Sequence, residues 1–176
     1  MQVVRGAGRS FSAGYDLQPD PGEYGVEGGG EGAFQRTVVD LWTNIWDLDK
    51  PVIAQVHGHC LAGGSELATG CDLVFVAEDA KIGYPAVRFG TPDMQYQAWL
   101  LGMRKAMELM LTGDSMSGIE AVEHGFANRA YPAGELEERV LEWGRRVAQI
   151  PADVLQINKR TVHRAMERMG IRDALR

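Results

Sequence analysis

Two short glycine-bearing segments constrain this chain more than any other feature: Phe11–Leu17 (FSAGYDL) and His57–Glu66 (HGHCLAGGSE). Each follows an apolar run with strand character, Gln2–Arg5 before the first and Val52–Val56 before the second. Glycine lets the backbone turn sharply at both places. Two such turns can aim peptide N–H groups into one shared cavity. Converging N–H donors are what a reaction requires when a carbonyl oxygen, such as that of a thioester, takes up negative charge.

The rest of the chain reads as short strands followed by helices, then helices alone. Residues 19–32 hold six glycines and two prolines and predict a mobile loop. Phe34, Val38, Leu41, Trp42, Ile45 and Trp46 recur at helical spacing, which places Trp42 and Trp46 in a core rather than on a ligand platform. A short helix is predicted from Gly63-Gly64 to Gly70, with strands over 73–77 and 81–84 and a loop over 85–92. A helix over 99–111 is interrupted by Gly102. The sequence Ser117-Gly-Ile-Glu120 is a capping box that opens a helix stopping at Gly125. Leu136, Val140, Trp143 and Val147 mark one amphipathic helix. Beyond Pro151, Val154, Ile157, Thr161, Ala165 and Met169 mark the apolar face of the last. The fold class is α/β: one domain over 1–176, with an α/β core to about residue 115 and a helical part from about 116.

Composition narrows the partners. At 176 residues and 45% hydrophobic, the chain can bury a substantial core. A net charge of −6 without a basic stripe argues against nucleic acid. No apolar run reaches membrane-spanning length, and the N-terminus lacks a signal pattern. Cys60 and Cys71 lie in apolar contexts without CxxC spacing and are read as reduced core thiols of a cytoplasmic protein. His57 and His59 lack a third partner at metal-ligand spacing, so no metal is expected.

The opening of the Gly63–Gly70 helix carries unpaired N–H groups and a partial positive charge. Glu66 falls in its first turn, where it either acts on a ligand or complements the helix dipole at the surface. Asp16 is suited to tie the first turn together.

These segments, with Lys50–Ala68 (KPVIAQVHGHCLAGGSELA), Cys71–Ala77 (CDLVFVA), Arg104–Gly113 (RKAMELMLTG), Ile119–Gly125 (IEAVEHG) and Asn128–Tyr131 (NRAY), resemble the crotonase (enoyl-CoA hydratase/isomerase) superfamily over nearly the whole chain. The resemblance implies a spiral of ββα units with a helical C-terminal region. It implies an acyl-CoA thioester as substrate, no separate cofactor, and assembly as a homotrimer or hexamer. The backbone N–H groups of Tyr15 and Gly63 would form the oxyanion hole. Coenzyme A would run along Ser12, Ala13, Gly14, Tyr15, Asp16 and Leu17 and against Gly63 and Gly64. Glu66 matches the first of the two glutamates that flank a water in the family's hydratases. The place of the second, twenty residues on, is Ala86, which cannot move a proton. Asp93 lies in a loop comparable to one where other members carry an acidic group, and it equally suits a turn after Pro92. His57 stands where members carry Asn or His for structural reasons. Compared with the family, the chain reads as shortened at both ends, with weak stability expected from an unpaired sheet edge. Hydration, isomerisation and hydrolysis share the enolate, and a non-catalytic CoA-binding or assembly role is the alternative.

Overall fold

A computed structural model describes residues 1–16, 33–88 and 96–174. The strands are β1 (Gln2–Arg5), β2 (Val52–Val56), β3 (His59–Leu61), β4 (Leu73–Ala77), β5 (Lys81–Gly83), β6 (Ser115–Ser117) and β7 (Arg129–Tyr131). The helices are α1 (Ala33–Asp47), α2 (Gly63–Gly70), α3 (Gln97–Leu100), α4 (Gly102–Thr112), α5 (Gly118–Glu123), α6 (Leu136–Ala148), α7 (Ala152–Arg168) and α8 (Ile171–Ala174). A 3₁₀ turn spans Pro85–Arg88.

Two sheets alternate along the chain. The larger has the order β1-β2-β4-β7 and is parallel throughout. The smaller has the order β3-β5-β6, with β3 and β5 parallel and β5 and β6 antiparallel. Ser12 joins its edge through an isolated parallel bridge to Cys60. Three times the chain runs along a strand of the large sheet and then steps into the small one: β1 to Ser12, β2 to β3, β4 to β5. That step is the spiral of strand pairs. Every residue of β2 is buried, as a parallel strand covered on both faces should be. On β4, Phe75 stacks on Trp143 of α6 at 5.4 Å between ring centroids.

Most strand and helix expectations hold; the additional helix α8 and three other features depart from them. The stretch after Val56 contains β3, and β6 and β7 have no counterpart in the sequence pattern, because three-residue strands are too short to show periodicity. The expected loop after residue 84 begins with the 3₁₀ turn. The third correction concerns α7. The face marked by Val154, Ile157, Thr161, Ala165 and Met169 is exposed, and the helix packs through Leu155, Lys159, His163 and Met166. The expected loop over 19–32 lies outside the described residues.

What draws that polar face inward is a buried ion pair. Lys159 Nζ lies 2.9 Å from Asp72 Oδ2 and donates to the carbonyls of Ile45 (2.8 Å) and Lys50 (3.4 Å). The same Asp72 oxygen accepts the Val52 N–H at 2.7 Å. His163 stacks on Trp46 and sits 3.4 Å from the other Asp72 oxygen, with burial holding its imidazole below the ordinary pKa. One lysine therefore clamps α7 to the end of α1 and the start of β2.

Replacing Lys159 with Met leaves Asp72 buried without its cation. It is expected to cost about 3–5 kcal/mol in urea denaturation, with part of the loss recovered in the double variant Lys159→Met/Asp72→Asn. The capping box gives a second prediction. Glu120 accepts the Ser117 N–H (2.8 Å) and hydroxyl (2.9 Å) and pairs with Lys105 Nζ (3.2 Å). These donors, the Ser117 amide first, lower its pKa from 4.5 to about 2. A carboxylate whose folded pKa is depressed contributes stability that is complete above its unfolded pKa and fades as pH falls through the folded one. The stability gap between wild type and Glu120→Gln should thus be constant above pH 4.5 and close toward about pH 2 in thermal melts.

Candidate active site

The two glycine turns meet. Ser12 N–H donates to the His59 carbonyl at 3.0 Å, and Leu61 N–H donates to the Ser12 carbonyl at 2.9 Å. Gly14 has φ +109°, and a Cβ there would stand 2.8 Å from the Ala62 Cβ and 3.2 Å from the Gly63 nitrogen. Only glycine lets the first turn lie this close against the start of α2.

Ala62, the residue before α2, holds φ 49° and ψ −126°, a strained conformation for a residue with a Cβ. It is fixed from both sides. Its N–H donates to the Gly83 carbonyl at 3.0 Å, and its carbonyl accepts from Ser65 N (2.8 Å), Ser65 Oγ (2.7 Å) and Glu66 N (3.2 Å). Those bonds are the first of the helix. The amides of Gly63 and Gly64 come before them and belong to the unpaired opening of α2.

Glu66 is fully buried, which rules out the surface-dipole alternative. Its Oε2 accepts the Tyr15 hydroxyl at 2.6 Å, and the indole Nε1 of Trp42 donates to the same hydroxyl at 3.2 Å. The Tyr15 ring lies over Gly63, where a methyl group would meet Cε2 at 2.6 Å. Next to Glu66, the Ser65 hydroxyl bonds Tyr96, whose phenol burial pushes above its usual pKa. Neither cysteine is poised to react. Burial raises the Cys60 thiol strongly, and burial, with Asp72 beside it, pushes Cys71 up to about 12.

Of the residues singled out from sequence, the fold brings together Ser12, Gly14, Tyr15, Gly63, Gly64 and Glu66. Ala13 and Asp16 are exposed on the same turn. Leu17 and Asp93 lie outside the described residues. Ala86 sits half-buried in the 3₁₀ turn. His57 accepts a structural role, with Nε2 at 2.9 Å from the Gly8 carbonyl. Sequence reasoning missed Trp42 and the Tyr15 side chain. Helical spacing marks Trp42 only as apolar. The tertiary cue is Gly70, where a Cβ would stand 2.9 Å from the Trp42 carbonyl, so that α1 closes on α2.

A sequence model of the enoyl-CoA hydratase/isomerase family matches residues 2–174. The chain belongs to that family. A Mycobacterium tuberculosis protein bearing the enoyl-CoA hydratase name EchA13 is 33% identical over 98% of this chain and 61% of its own length. A crystal structure of an enoyl-CoA hydratase/isomerase from Xanthobacter autotrophicus Py2 superposes with a TM-score of 0.86 at 34% identity, over 98% of this chain and 65% of that one. An enoyl-CoA hydratase from Mycobacterium smegmatis gives 0.81 at 32%, over 96% and 63%. The chain spans about three fifths of the length of the curated relatives it matches. The spiral of strand pairs in this family member is therefore the crotonase fold.

Steric closure at Gly63 is testable without a ligand. Gly63→Ala must displace the Tyr15 ring from its place over α2 and is expected to cost about 1–3 kcal/mol in chemical denaturation. Gly134→Ala, where a Cβ meets nothing within 4 Å, should stay within about 0.5 kcal/mol of wild type.

Proposed function

We propose that this chain carries out proton transfer on an acyl-CoA thioester through an enolate: isomerisation or hydration of an enoyl-CoA. The observation that carries the reading is a fully buried carboxylate, Glu66, at the junction of two glycine turns whose amides can face one carbonyl oxygen. In this reading the Tyr15 and Gly63 N–H groups hold the thioester oxygen as charge develops on it. Coenzyme A follows the first turn from Ser12 to Leu17 and passes Gly63 and Gly64.

A single carboxylate suits isomerisation best. Glu66 removes the C2 proton of a 3-enoyl thioester, and the electron pair moves into a dienolate whose charge rests on the thioester oxygen. The same carboxyl group then returns its proton to C4. The C3–C4 double bond becomes C2–C3, and no atom is gained or lost. Water addition requires a second group, for which Ala86 offers only a methyl and Asp93 is the proposed source. Ala86 also favours a second reading, a binder of acyl-CoA without turnover. Assembly as a homotrimer or hexamer, cytoplasmic location and a part in fatty-acid metabolism belong to the same proposal and rest on the family.

The test follows 3-enoyl-CoA and 2-enoyl-CoA by ultraviolet absorbance. Conversion of the 3-enoyl thioester is expected, with Glu66→Gln slowing it by roughly 10²–10⁴-fold while saturated acyl-CoA binds as before. Should neither thioester react while acyl-CoA binds equally to both proteins, the binding reading replaces the catalytic one.

A further inference from the structure

The proposed oxyanion hole uses Tyr15 only through its backbone amide, yet its side chain makes a close polar contact with the buried carboxylate. The hydroxyl lies 2.6 Å from Glu66 Oε2 and 3.2 Å from Trp42 Nε1. Indole N–H is a donor and nothing else, so the phenol oxygen must accept from Trp42. The phenol hydrogen is then directed to Glu66. An ionised carboxylate only accepts, and it receives that hydrogen in an orientation already set. The chain Trp42 to Tyr15 to Glu66 thus delivers one O–H to one oxygen of the carboxyl group, a contact that strengthens when that group is ionised.

We propose that the Tyr15 hydroxyl, oriented by Trp42, is a positioning residue that holds buried Glu66 ionised and fixed in direction, ready to take a proton. This deepens the catalytic reading and rests on it. Desolvation alone disfavours a buried carboxylate, and a hydrogen bond to the charged form offsets that penalty. The geometry ties two tasks to one residue. The ring that carries the hydroxyl lies over Gly63, so the Tyr15 side chain spans from the opening of α2 to the buried carboxylate. Ala86 stands in the place of a second carboxylate, and the phenol that contacts Glu66 is a neutral donor.

The experiment compares wild type, Tyr15→Phe and Trp42→Phe in two ways. First, the Glu66 carboxyl is titrated directly in the free protein by infrared difference spectroscopy, with Glu66→Gln identifying the band. Its protonation midpoint should rise by roughly one to two pH units in Tyr15→Phe, and by less in Trp42→Phe. Second, the pH profile of kcat for the 3-enoyl thioester should have its acid limb shifted up by the same amount, KM unchanged, and rate recovered at higher pH. A rate lowered equally at every pH, or a midpoint that does not move, would overturn the proposal. If no thioester is turned over, the catalytic reading fails, and the infrared titration still decides whether Tyr15 holds Glu66 ionised. Trp42→Phe keeps the test open if Tyr15→Phe fails to fold, since it perturbs the same hydroxyl from the other end.

Discussion

Two backbone hydrogen bonds, Ser12 N–H to the His59 carbonyl and Leu61 N–H to the Ser12 carbonyl, are the contact on which the site depends. They dock the first glycine turn onto the strand that feeds the second. Without them the Tyr15 and Gly63 amides belong to separate loops, and Glu66 has no phenol above it. The contact is intimate because glycines at 14, 63 and 64 carry no Cβ. A side-chain carbon at 64 would fall 2.7 Å from the Ser12 carbonyl. The strained backbone of Ala62 belongs to the same closure, since it sends the chain from β3 into α2 within one residue. The strain persists because bonds from Gly83, Ser65 and Glu66 determine that residue from both sides.

Much of this was legible beforehand. The glycine turns, β2, α2 and the capping box at Ser117 all follow from local rules, in which one residue type has one dominant use. Legibility ended where the outcome depended on tertiary pairing. Helical spacing puts Ile157 and Met169 of the last long helix inside, and they are outside, because an apolar stripe at helical spacing is a preference and not a contact. Lys159 and His163 go inward since Asp72 and the carbonyls at the end of α1 await them. A periodicity argument assigns every lysine to solvent and has no means of finding such a partner.

Trp42 shows the same limit at the site. Its spacing from Trp46 describes a core helix, and Trp42 is partly buried against the core. The one polar atom of the indole decides its role, and a hydropathy pattern is blind to it. The sequence marks Tyr15 through the amide that follows Gly14, a property of backbone position. Its phenol gains a partner only where α1 and α2 close together at Gly70.

The electrostatics of the site follow from this closure. A carboxylate removed from water needs donors, and the proposed proton transfer needs that carboxylate basic enough to take a proton. A cation beside Glu66 would satisfy the first demand and weaken the second, since it would stabilise the charge too strongly. A phenol that is itself held by an indole is a milder donor: it orients one oxygen and stays neutral. In the proposed reaction, charge developing on the substrate is met by backbone amides at the two glycine turns, which would act on the thioester oxygen and leave the base alone. In that proposal, the division of labour between neutral side-chain donors for the base and backbone donors for the oxyanion follows from packing two glycine turns against one short helix.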